Sequence, residues 1–204
     1  MRVDFPKMEV EMAEVKKNGE GAFQRLVELF KASEDRLLPF DFGVLQVAMM
    51  IAAVDGEVKA DEVAAFKRLA RKCRGWTGPA AVKALSAALH AAGYIVVESR
   101  LVKERALLAA FVREARALLP RDFVKTPVAN VRRAFVMWLL MSWADRRVML
   151  VERKAILALR KALGLEEVVS DRFLIEVEKD ILLLADARTA GEGSTLIGAF
   201  VDLA

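Results

Sequence analysis

One cysteine, one histidine and five prolines are scattered through 204 residues. The lone cysteine, Cys73, cannot form an internal disulfide, which fits a reducing compartment. Lys72 and Arg74 flank it, but no base stands at a recognisable spacing, so it reads as a bland helical cysteine. The lone histidine, His90, lies between Leu89 and Ala91 with no cysteine or acid at ligand spacing. It reads as a packed or partly exposed side chain rather than a zinc or catalytic group. Gly-x-Ser-x-Gly, Walker and Rossmann patterns are absent. With no paired nucleophile and base, the expectation is a non-enzyme with no catalytic residues.

Long apolar runs are also missing. The most apolar stretch, Ala134 to Ala144, falls well short of the roughly 20 residues that span a bilayer. It reads as a buried core helix. The start, Met1-Arg2-Val3-Asp4-Phe5-Pro6-Lys7, soon turns acidic at Glu9, Glu11 and Glu14, with no apolar core of a secretory signal. A cytoplasmic location with no transmembrane segment is the expectation. Convincing strand alternation is absent as well.

What is present is helix-former chemistry. Apolar residues make up 55%, and Ala, Leu, Lys, Arg and Glu dominate. The net charge of +4 arises from 32 basic and 28 acidic residues mixed along the chain, which describes a salt-bridged surface more than a polyanion-binding face. Basic groups do cluster at Lys67, Arg68, Arg71, Lys72 and Arg74, and at Arg153, Lys154, Arg160 and Lys161. Interleaved surface aromatics are lacking, so no specific nucleic acid is expected. Peripheral association with an anionic surface is the alternative use of these groups. Trp138 and Trp143 read as core, while Trp76 sits in a turn.

Helical periodicity runs nearly throughout. A short helix over Met8–Lys17 is broken by Asn18-Gly19. An amphipathic one covers Ala22–Ser33. Asp41 is an N-cap for the helix carrying Val44–Val54, and Gly56 stands where a left-handed residue ends it. Further helices are read at Ala60–Lys72, Ala80–Ala92 up to Gly93, Ser99–Leu119 before Pro120, Val128–Ala144, Val151–Leu163 before Gly164, and from a Ser170 cap to Ala187.

Two of the turns repeat. Val54-Asp55-Gly56-Glu57-Val58-Lys59-Ala60-Asp61-Glu62 returns as Ala144-Asp145-Arg146-Arg147-Val148-Met149-Leu150-Val151-Glu152, aligned at Asp, Val and Glu. The offset is 90 residues (145 less 55). At that offset Met49 and Met50 fall on Leu139 and Leu140, Ala65 on Ala155, Phe66 on Ile156 and Leu69 on Leu159. The pattern predicts an all-α bundle of two pseudo-symmetric helical hairpins with extra N- and C-terminal helices. Its parts are an N-terminal extension over 1–38, the repeat domain over 39–167, and a C-terminal helix and tail over 168–204 on the same domain.

An apolar helix running into Ala/Val-Asp-Gly-Glu-Val and an acidic pair resembles the tellurite-resistance TerB-like domain. Asp55, Gly56, Glu57, Val58 and Glu62 match its first turn. Ala144, Asp145, Val148 and Glu152 match the second, where Arg146 replaces the usual Gly. Leu163-Gly164-Leu165 resembles the family's closing signature. The resemblance covers roughly Phe40 to Glu167. It implies a non-catalytic, cytoplasmic stress-response module, acting with protein partners of a membrane-associated stress complex, with acidic turns that bind a divalent metal.

The turn residues themselves allow two readings. Asp55, Glu57, Asp61 and Glu62 offer hard oxygen ligands suited to a divalent cation, calcium first. Alternatively Asp55 closes the turn through backbone amides, and Glu62 sits in a first helical turn where negative charge is favoured by about 0.3–1 kcal/mol. In the second turn Arg146 and Arg147 place positive charge where a cation would sit. Without metal, the chain is a helical protein-interaction or scaffold domain.

Beyond Gly191-Glu192-Gly193 lies an apolar tail: Leu196, Ile197, Phe200, Val201 and Leu203. Burial of such side chains is worth about 1.5–3 kcal/mol each. The tail should therefore dock on its own bundle, or be exchanged in a weak homodimer. Truncation after Gly191 should lower the melting temperature at unchanged sedimentation mass. A dimer falling to monomer would mean exchange, and no change in either would mean the tail docks nowhere.

Overall fold

The computed structural model describes residues 18–26, 28–29, 42–71, 78–143 and 150–189. Among them all regular structure is helical. Helix α1 covers 18–26. It is followed by α2 (Phe42–Ala52), α3 (Ala60–Arg71), α4 (Gly78–Leu101), α5 (Glu104–Leu118), α6 (Val128–Ser142), α7 (Leu150–Ala162) and α8 (Asp171–Thr189), with 3-10 turns at Ala53–Asp55 and Phe123–Lys125. The all-α expectation holds. The helix read at Met8–Lys17, the Asp41 cap, Cys73, Trp76, Asp145 to Val148 and the apolar tail lie outside the described residues.

Helix α2 is the centre. Every residue from Gly43 to Val54 is buried. A helix apolar on all sides has no face to give to water, so it must be enclosed. Helix α4 supplies the broadest contact, followed by α6, with α3, α5 and α7 around the remainder. Helix α6 is buried nearly as completely, from Ala134 to Ser142. Trp138 on α6 fixes the two together: its indole N–H donates to the Val44 carbonyl at 3.0 Å, inside the core. Phe135 and Phe123 pack tilted against the same ring, with centroids 4.7 and 6.1 Å away.

Several ends follow the sequence signals. Leu119, before Pro120, is extended and ends α5. Gly56 and Gly164 are left-handed, with φ of 103° and 66°. At Gly164 the Leu165 amide donates to Arg160 and the Gly164 amide to Lys161, which is the Schellman arrangement. The Leu163-Gly164-Leu165 signature is this cap. The Ser170 hydroxyl accepts the Phe173 amide at 3.2 Å and caps α8.

Asn18 and Gly19 belong to α1, where Ala22 and Leu26 enter the core; the helix read at Met8–Lys17, which they are expected to break, lies outside the described residues. One reading is corrected: Gly93 does not divide the middle of the chain. Helix α4 runs unbroken for 24 residues, because Ala84, Ala88, Ala92 and Ile95 continue one buried stripe past it. Ser99 therefore starts no helix; its hydroxyl donates to the Val96 carbonyl within α4 at 2.8 Å. The break falls at Lys103, whose extended backbone precedes α5.

Gly43 is a close-approach glycine. A Cβ built there would lie 2.1 Å from the Leu118 carbonyl oxygen at the end of α5. Backbone, unlike a flexible side-chain tip, cannot move aside cheaply. Gly43→Ala should destabilise by about 1–3 kcal/mol through forced separation of α2 and α5. Chemical denaturation checks this, and an unchanged midpoint would show that the two helices are not held this tightly.

Candidate functional site

The first repeated turn is built from inside out. Val54 is buried, and the Gly56 amide donates to the Ala53 carbonyl at 3.1 Å as the chain reverses. Asp55 follows with a side chain only 7% exposed. Its Oδ1 accepts the Glu57 amide at 3.2 Å, a local closure of the Asx type. The Lys59 ammonium then lies 3.5 Å from Asp55 Oδ2 and 3.1 Å from Glu57 Oε1. Two acids of the turn thus share one internal cation. Val58 is half-buried against the core between them.

Glu62 has a different task. It is 2% exposed, and its Oε2 accepts the Lys59 amide at 2.7 Å. Lys59 is the residue before α3 and Glu62 the third residue within it. This is the returning half of a capping box, with a carboxylate satisfying an orphan amide at a positive helix end. Asp61, one residue earlier, is exposed.

The turn is also anchored from outside. Arg100 on α4 donates to the Gly56 carbonyl at 3.3 Å. A Cβ on Gly56 would meet the Ser99 hydroxyl at 3.0 Å, and the left-handed φ would be strained in any case. Sequence patterns gave no sign of Arg100, because it lies 44 residues away on another helix.

Asp55 and Glu57 therefore come together around Lys59, Glu62 turns to the helix end and Asp61 stays exposed. Among the described residues no group of three or more His, Cys, Asp or Glu side chains gathers in a metal-binding arrangement. Of the second turn, the described part is Leu150 to Glu152. Glu152 is 1% exposed and again third in its helix, the position that Glu62 holds in α3.

Arginines form a second set, buried at Arg133 and Arg160, half-buried at Arg132 and exposed at Arg25; of these only Arg160 belongs to a basic cluster visible in the sequence. Arg160 donates to the Val169 carbonyl at 3.0 Å and pairs with Asp171 at 2.6 Å, tying the end of α7 to α8. Arg132 donates to the Val168 carbonyl at 2.9 Å and stacks over Phe173 at 5.1 Å. Arg133 is buried on α6, and burial lowers its pKa. Arg25 of α1 holds Asp180 of α8 in a forked pair, with Nε 3.0 Å from Oδ2, and that hydrogen bond raises the Arg25 pKa. This pair borders a groove of about 710 Å³ between α1 and α8. His90 is exposed on α4 beside Lys83, Ser86 and Ala87.

No family model, no curated protein and no solved structure matches this chain. No described helix is long and apolar enough to cross a membrane.

Glu62→Ala should cost about 1–3 kcal/mol, because the Lys59 amide loses its acceptor in a buried site. For a chain of this size that is a melting-temperature fall of about 2–4 °C per kcal/mol. Glu62→Gln keeps an acceptor oxygen and should retain most of the stability. Equal losses for the two would assign the role to the charge rather than to the cap.

Proposed function

We propose that this chain is a non-catalytic, TerB-like stress-response module that works by binding protein partners. The observation that supports it is the buried glutamate third in α3 and third in α7, at the same 90-residue offset as the repeated turns. Residues matched by that offset are core in both halves: Met49 and Met50, Leu139 and Leu140, Phe66 and Ile156. In this reading α2–α3 and α6–α7 are two pseudo-symmetric hairpins joined through Trp138 and Val44. The acids of the first turn serve the hairpin itself, with Lys59 as their cation. The partners are proteins of a membrane-associated stress assembly. The chain works in the cytoplasm and needs no nucleophile or general base.

The second reading keeps the module and adds a divalent cation, calcium first, at Asp55, Glu57, Asp61 and Glu62. Its support is the pair of carboxylates already facing one positive charge. A metal would have to displace the Lys59 ammonium and recruit Glu62 away from its cap.

The stress role is tested in the source cell. Loss of the gene should sensitise growth to tellurite or a related chemical stress. The wild-type chain should restore tolerance, and so should His90→Ala and Cys73→Ser. Tolerance unaffected by gene loss would end the stress reading, and failure of either variant to restore it would end the non-catalytic one. Calorimetric titration with calcium, magnesium and zinc separates the two readings. We expect no saturable heat for the wild-type chain. Saturable heat that disappears in the folded Asp55→Ala/Glu62→Ala variant would establish the metal site instead.

A further inference from the structure

The groove between α1 and α8 is apolar along its length. Leu29, just beyond α1, and Phe173, Val177 and Leu183 of α8 line it. Leu29, Phe173 and Leu183 pack against the core yet stay only half-buried. Phe173, Val177, Asp180 and Leu183 recur at steps of four and three, so they share one face of α8. Asp180 is held there by Arg25, which ties the two walls together. At about 710 Å³ the groove is on the scale that takes a drug-sized ligand, and so a few side chains.

Reach and composition decide what covers it. Helix α8 ends at Thr189, about 9 Å along the axis from Leu183 and about 24 Å from Phe173. Seven residues link Thr189 to Leu196 (196 less 189) and span at most about 23–25 Å. Gly191 and Gly193 lie in that link, where glycine permits a sharp reversal. Leu196 therefore reaches Leu183 with ease, and the residues after it reach Phe173. Residues 195–204 carry one charged side chain, Asp202, beside Leu196, Ile197, Phe200, Val201 and Leu203. The stretches on either side of α1 are far more polar: eight charged side chains in residues 1–17 and five in residues 30–41. Residues 30–41 must also connect onward to Phe42 at the start of α2.

We infer that the apolar tail, Leu196 to Leu203, turns back along α8 and fills the α1–α8 groove of its own chain. Phe200 and the leucines cover Leu29, Phe173 and Leu183, which completes their burial. The short tether holds the tail near this groove at high effective concentration, which favours it over the tail of a second copy. Seated there, the tail clasps α1 to α8 beside the Arg25–Asp180 pair.

Disulfide trapping in the full-length chain, with Cys73→Ser as background, tests this. Glu176→Cys supplies a thiol on the exposed wall of the groove. With Leu196 against Leu183, position 176 falls beside 199 in an extended tail and beside 203–204 in a helical one. Glu176→Cys is therefore paired in turn with Ala199→Cys and Ala204→Cys. Lys83→Cys, on the exposed side of α4, is paired with the same two positions for comparison. Under a mild oxidant one Glu176→Cys pair should close within the monomer at least about tenfold faster than either Lys83→Cys pair, because docking raises the local thiol concentration. Adding Phe200→Ser/Leu203→Ser to the faster pair should remove that advantage. Equal rates for the Glu176→Cys and Lys83→Cys pairs, or an advantage that survives Phe200→Ser/Leu203→Ser, overturns the proposal. A disulfide-linked dimer formed ahead of the monomeric product also overturns it, and makes the tail of a second copy the occupant. So does faster closure of Glu176→Cys with Met8→Cys, which gives the groove to the N-terminal segment.

Discussion

Enclosure of α2 is the constraint on which the rest of the structure depends. Twelve consecutive positions from Gly43 to Val54 are buried. Backbone groups inside such a helix bond to one another, so the burden on its neighbours is to cover side chains on every face. One helix alone cannot do that. The long α4 lies along one side, α6 along another, and α3, α5 and α7 close the gaps. Close approach is built into the start of α2, where Gly43 admits the α5 carbonyl. Register is set one residue later, where the Trp138 indole finds the Val44 carbonyl. A misplaced α6 would leave that N–H buried without a partner, at a cost of about 1–3 kcal/mol.

The turn after α2 inherits the same problem at its polar end. Here the chain leaves the interior within a few residues and must satisfy amides and carbonyls in partly buried surroundings. Three of its four acids are matched to nearby groups: Asp55 to the Glu57 amide, Glu62 to the Lys59 amide, and Asp55 with Glu57 to the Lys59 ammonium. Lys59 therefore acts twice, as an amide donor before α3 and as a counter-charge. Its side chain is about one-third exposed, so its Coulombic contribution is screened and the amide contacts fix the geometry. A cation competing for this turn would compete with the fold for the same oxygens.

Local signals carried much of this architecture. Gly56, Gly164, Pro120 and Ser170 mark helix ends because each has one dominant backbone or capping preference, and each acts where it stands in sequence. The core positions of α2, α6 and α7 follow from periodicity. Gly93 misled, because glycine's intrinsic cost of about 1 kcal/mol is smaller than the burial on either side of it. What sequence could not show is long-range. Arg100 reaching Gly56, Arg25 reaching Asp180 and Arg132 reaching Val168 pair residues that no short pattern links. In the turn the residue types were legible and the division of labour was not. Four acids within eight positions look alike in sequence, yet Glu62 is buried and Asp61 exposed. Helical position alone separates them, since the third residue of a helix can reach back to its cap and the second cannot do so equally well.

Gly43 and Gly93 differ from each other in an informative way. Gly43 admits the Leu118 carbonyl of α5, so its lack of a side chain meets an internal packing demand. Gly93 lies on the outside of α4, where a Cβ would find open space. Inside one helix, the same residue type that Gly43 needs for contact within the chain is present without any such contact. The stripe that wraps α2 requires Ala88, Ala92 and Ile95 but says nothing about the opposite face. Enclosing α2 would be served equally well by lysine and glutamate at 82, 89, 93, 97 and 101. That these positions are instead apolar or small is a part of α4 that the packing among the described residues does not account for.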